Sequence, residues 1–132
     1  MSLLGVWGTM DLKDKSAGGV IVSAAPGRID LSNADQFQQA LSAALAKART
    51  ALVLDLSGVD LITSGGFRAL VIVLKASKVQ NKGFALTGLR PLVKEVFDIG
   101  HFGHVLTVFD TVREAVARLD PDSLPGLEMA RP

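Results

Sequence analysis

The sequence predicts an α/β domain: a mixed, mainly parallel β-sheet with about four helices packed against it. Three observations support this. Short Val- and Leu-rich runs alternate with amphipathic ones along the chain. One run, TALVLDLSGV at residues 50–59, is apolar enough to be a strand covered on both faces. The 132 residues suffice for one core without staples. Such alternation calls for crossover connections between parallel strands.

In order, residues 4–12 (LGVWGTMDL) and 18–25 (GGVIVSAA) read as the arms of an antiparallel hairpin around the polar stretch KDKSAG, with Trp7 anchoring the first arm. After PGRIDLSN, the segment ADQFQQALSAALAKA repeats Ala34, Phe37, Leu41, Ala44, Leu45 and Ala48 at three-and-four spacing. That is an amphipathic helix, with Ser32 or Asn33 available as its N-cap. Residues 50–59 supply a central strand. A second helix starts near Ser64 and carries Phe67, Leu70, Val71 and Leu74 on one stripe, which Ile72 and Val73 widen. GFALTGL reads as a strand and RPLVKEVFDIG as a short helix, with Pro91 in its first turn and Gly100 just past its end. HVLTVFD is a further strand. TVREAVARL is a last helix, opened by Thr111 and Glu114 in a capping-box arrangement. The tail DPDSLPGLEMARP has three prolines and no helical period. The expectation is therefore one domain over residues 1–120 and a flexible C-terminal tail over 121–132.

Composition removes several classes of function. Fourteen basic and thirteen acidic residues give a net charge of +1, so no strong field favours nucleic acid or anionic lipid. Without cysteine there are no disulfides, thiolate metal sites or thiol nucleophiles. The N-terminus lacks the pattern of a secretory signal, and the run ALVIVL at 69–74 is far too short to span a bilayer. A cytoplasmic protein without membrane insertion is expected. His101 and His104 lack neighbouring ligands, so no metal is expected. No G-x-S-x-G elbow, phosphate-binding P-loop or G-x-G-x-x-G fingerprint occurs. The reading is a non-enzyme with no catalytic residues and no cofactor.

What remains is the stretch DLITSGGFRALVIVLK, in which Thr63, Ser64, Gly65 and Gly66 separate two apolar runs. Read locally, hydroxyls cap a helix and glycines permit a turn. The segments GRIDLSNADQF, LVLDLSGVDLITSGGFRAL and LTGLRPLVKEVFDIG, in this order and spacing, resemble the STAS domain of sulfate-transporter tails and bacterial anti-sigma factor antagonists. The likeness runs from about residue 8 to residue 119.

The resemblance implies partner switching. The unmodified domain binds an anti-sigma factor that is a serine-protein kinase, and phosphorylation breaks the complex. The family's loop commonly reads Asp-Ser-Ser-Gly-Leu with its first serine as acceptor, which places the phosphoacceptor at Ser64, with Thr63 the less favoured hydroxyl. Thr63 stands where the acidic residue is common, Gly65 replaces the second serine, and His101 stands where glycine is common. Asp30 matches an acidic position beside the acceptor loop. The expected partner surface is Asp30, Leu31, Ser32, Asn33, Ser64, Gly65, Gly66 and Arg68. The alternative is a STAS scaffold in a stressosome-like complex or a lipid or anion transporter assembly.

Overall fold

The computed structural model describes residues 12–129. Its main sheet has five strands: β1 (Lys13–Ala17), β2 (Val20–Ala24), β4 (Ala51–Asp55), β6 (Gly83–Thr87) and β7 (Val108–Phe109), in the spatial order β1-β2-β4-β6-β7. Only β1 and β2 pair antiparallel; the other three pairs are parallel. A second, two-stranded parallel sheet joins β3 (Arg28–Ile29) to β5 (Leu61–Ile62). Five α-helices are described: α1 (Ala34–Lys47), α2 (Ser64–Val79), α3 (Pro91–Ile99), α4 (Val112–Leu119) and α5 (Leu124–Met129). The mixed, mostly parallel sheet with packed helices is the predicted class.

The sheet sorts its side chains by size. Ile21, Leu52, Leu54, Phe84 and Leu86 point to one face and join Phe37, Leu41 and Leu45 of α1, Phe67, Leu70 and Val73 of α2 and Phe97 of α3 in the larger core. The alternate residues Val20, Val22, Ala51, Val53 and Ala85 form the other face under Ala115 and Val116 of α4. This period-two division is what a strand covered on both faces requires. β4, in the middle of the sheet, carries it most fully, with Ala51 to Leu54 all buried.

Several expectations need correction. KDKSAG is not the hairpin turn: Lys13–Ala17 is β1 itself, and the turn lies at Gly18 and Gly19, where Gly18 has φ +59°. β1 is an edge strand whose first four residues are exposed, so lysine and aspartate suit it. Most of the proposed first arm, residues 4–12 with Trp7, lies outside the described residues. The strand in HVLTVFD shrinks to Val108–Phe109, because residues Phe102–His104 form a 3-10 turn. Thr111 Oγ1 accepts from the Glu114 amide at 3.1 Å, which is half of the expected capping box.

The tail carries secondary structure that its sequence pattern does not show. Residues 121–123 form a 3-10 turn and 124–129 form α5, which packs against β1. Buried Ser123 accepts from the Gly19 amide at 2.9 Å and donates to Asp120 at 2.6 Å, while Thr50 donates to the same carboxylate at 2.7 Å. Pro125 sits in the first turn of α5, where its missing N–H costs nothing.

Candidate partner-binding site

β2, β4 and β6 run parallel, so the connections leaving their C-terminal ends gather at one end of the sheet. The small sheet knits two of them. Arg28 pairs with Leu61 and Ile29 with Ile62, and the Thr63 amide then donates to the Ile29 carbonyl at 2.9 Å. GRIDLSN and DLITSGG, thirty-odd residues apart in sequence, are thereby side by side. From the opposite flank Arg90, just before α3, donates from Nε to the Ser57 carbonyl at 2.8 Å and pairs with Asp60, fixing the β4–β5 connection.

Within GRIDLSN the polar residues mostly serve the loop. Asn33 occupies the N-cap position of α1 without making a side-chain cap bond. Its amide side chain is used elsewhere: Oδ1 accepts from the Asp30 amide and Nδ2 donates to the Arg28 carbonyl, both at 2.9 Å. Asp30 accepts from the Ser32 hydroxyl and amide and pairs with Arg28 at 3.2 Å. The Ser32 hydroxyl above all, then its amide and the Arg28 guanidinium, hold the Asp30 carboxyl below its ordinary value. Leu31, at the apex, is 88% exposed, more than the other exposed large apolar residues of the described chain.

In TSGG, Thr63 takes the N-cap position of α2, again without a side-chain cap bond, and Ser64 is the first helical residue. Ser64 is thus not itself the N-cap; its side chain is exposed. Neither Gly65 nor Gly66 has a positive φ, so the turn does not require them. Their role is close approach. A Cβ on Gly66 would lie 2.6 Å from Ile62 Cγ1 and 2.8 Å from Ile29 Cγ2, so α2 can begin against the β3–β5 pair only with glycine there. A Cβ on Gly65 would come 3.3 Å from Ala34 Cβ, which lets α1 and α2 start together.

Between the two helices a groove is lined by Leu31, Ala34, Asp35, Gly65, Arg68 and Ile72, among others. Ala34, Asp35 and Ile72 were absent from the surface expected from sequence; the helical spacing from Leu31 and from Arg68 is the signal that could have found them. Ion pairs among the described residues join Arg28 to Asp30, Arg90 to Asp60 and Arg113 to Glu128, and none involves exposed Arg68. Behind the site, Phe67 stacks on Phe102 at 4.2 Å and meets Phe97 edge-on at 5.0 Å. The loop after α3 thus braces the first turn of α2. His101 enters that loop at φ +58°, the left-handed region that glycine fills at no steric cost. Among the described residues no group of three or more His, Asp or Glu could hold a metal ion, and no helix is long and apolar enough to cross a membrane.

The STAS domain family model matches residues 12–115, a span that takes in both sheets and the helix-entry loop at Ser64. The chain belongs to the STAS family. It is 33% identical over 117 residues to BtrV of Bordetella bronchiseptica, described as a candidate anti-sigma factor antagonist, covering 89% of this chain and 97% of BtrV. Solved structures with the same fold include an anti-sigma factor antagonist from Mycobacterium paratuberculosis, with TM-score 0.75 and 23% identity over 85% of this chain and 95% of that one. Another is the anti-sigma factor antagonist SpoIIAA in its unphosphorylated form, with TM-score 0.69 and 18% identity over 84% and 97% of the two chains. SpoIIAA, a Bacillus cell-fate determinant, has also been solved in a phosphorylated form, which matches with TM-score 0.60 and 17% identity over 82% and 98%.

Proposed function

We propose that this chain is an anti-sigma factor antagonist that binds an anti-sigma factor with serine-protein kinase activity and is released by phosphorylation of Ser64. It is a binding module and kinase substrate, not an enzyme. One observation carries the reading: Ser64 is exposed at the first position of α2, on the same end of the sheet as the exposed Leu31. The likeness to BtrV along nearly its whole length supports the class of function.

The docking surface is Leu31, Ser64, Gly65 and Arg68, framed by Asp30, Ser32, Asn33 and Gly66. Leu31 supplies the apolar anchor, the kind of side chain whose burial dominates a small interface. In the kinase complex Ser64 Oγ would attack the γ-phosphorus of ATP, releasing ADP and passing the hydroxyl proton to a base on the kinase. The phosphate adds about −1.5 to −2 charges at neutral pH. The first-turn amides of α2 accommodate that charge, so the domain keeps its fold and the effect falls on the partner's surface. Losing about 3 kcal/mol of binding lowers affinity more than a hundredfold.

Thr63, in place of an acidic neighbour, favours the second reading, a constitutive scaffold in a stressosome-like or transporter assembly. Incubation with the cognate anti-sigma kinase and ATP, followed by mass-spectrometric mapping, separates the two. The antagonist reading expects one phosphate, on Ser64; an unmodified protein that also fails to bind the kinase would overturn it.

A further inference from the structure

Arg68 follows Ser64 by four residues on α2 and is exposed on the rim of the α1–α2 groove. Residues at this helical spacing are neighbours, with Cβ atoms about 5–6 Å apart. The other arginines described at this end are engaged, Arg28 by Asp30 at 3.2 Å and Arg90 by Asp60, whereas among the described residues Arg68 has no ion-pair partner. Across the groove stands Asp35, in the first turn of α1. In the unmodified protein the groove lining therefore presents one cation, Arg68, and one anion, Asp35, among uncharged residues.

We propose that Arg68 reads the modification state of Ser64: the guanidinium pairs with the phosphate once it is present and is withdrawn from the groove. This rests on Ser64 being the acceptor. A guanidinium matches phosphate oxygens bidentately, in a charge-assisted pair stronger than a neutral hydrogen bond. The groove then keeps Asp35 without its cation. An acidic partner side chain seated against Arg68 loses its counter-charge at the moment the phosphate arrives, so one modification both adds repulsion and removes attraction.

The charged groups around the acceptor loop are Arg68 on the acceptor's own helix, Asp35 on α1, Arg28 on β3 and Asp30 on the β3–α1 connection. The first-turn amides of α2 act on the phosphate equally in every variant, so the substitutions isolate the side chains. The test uses phosphoserine installed genetically at position 64 of the full chain, so the result does not depend on whether a kinase acts there. Phosphorus-31 NMR titration then gives the second pKa of the phosphate. With Arg68 present it should lie lower than in Arg68→Ala by about half a unit, the size expected of an exposed pair. Arg68→Lys should keep part of the shift, and Arg28→Ala should move it less than Arg68→Ala does. Equal values with and without Arg68, in variants that melt alike, would overturn the proposal. Absence of phosphate on native Ser64 after kinase treatment would instead count against the acceptor reading.

Discussion

The two ends of the sheet are built from the same residue types and use them in opposite ways. At the end where the parallel strands begin, Thr50, Asp120, Ser123 and the Gly18–Gly19 turn close on one another, and the Ser123 hydroxyl is buried between a carboxylate and a backbone amide. At the end where the strands finish, Asp30, Ser32 and Asn33 also satisfy one another, but Leu31, Ser64 and Arg68 stand exposed with this framework beneath them. Polar loops are thus sorted by what their side chains have left over: the Ser123 hydroxyl is spent on the fold, whereas Ser64 stands exposed on the same end as Leu31.

The largest stability effect should come from Gly66→Val, because the new side chain meets Ile62 and Ile29 inside van der Waals distance. Overpacking of this kind costs about 1–3 kcal/mol, read by urea unfolding. Ser123→Ala should follow, at about 1–2 kcal/mol, since it leaves the buried Gly19 amide without its acceptor. Kinase binding should survive it; a loss of binding at unchanged stability would break the contrast between the ends. His101→Gly should raise stability by up to about 1 kcal/mol, by removing a side chain from a left-handed position.

The same sealed end sets a pH dependence. The Ser123 hydroxyl first and the Thr50 hydroxyl next hold the Asp120 carboxyl below the ordinary aspartate value of 3.8. A depressed folded-state value means that this stabilisation is fully present above 3.8 and is lost as pH falls through the lower, folded value. Asp120→Asn should therefore flatten the acid limb of the stability curve below that point, as acid titration of the melting temperature would show. The smallest change in stability, within about 0.5 kcal/mol, is expected for Leu31→Ala at the exposed apex. There the effect should appear in kinase affinity instead.

Much of this was legible in sequence because it depends on periodicity. The three-and-four spacing of α1 and the Val- and Leu-rich run of β4 need no tertiary information. β3 and β5 were not legible: two residues cannot show alternation, yet their pairing brings the GRIDLSN loop beside Thr63 and Ser64. The β1 segment looked like a turn because an exposed edge strand tolerates charge. α5 was hidden by Pro121 and Pro125, and its docking depends on Gly126 lying against Gly18, a contact without a local signal. At the site, the position of Ser64 was readable from its motif. The side-chain contacts that turn Asn33 and Asp30 into framework were not, because they are made across the loop and not along the helix they precede.

In the proposed switch the exposed end binds the partner and releases it when Ser64 is modified. Calorimetric titration of the cognate anti-sigma kinase with wild type, Ser64→Ala and Ser64→Glu tests it most directly. Near-equal affinity is expected for wild type and Ser64→Ala, and more than a hundredfold weaker binding for Ser64→Glu. Equal affinity for all three would contradict it.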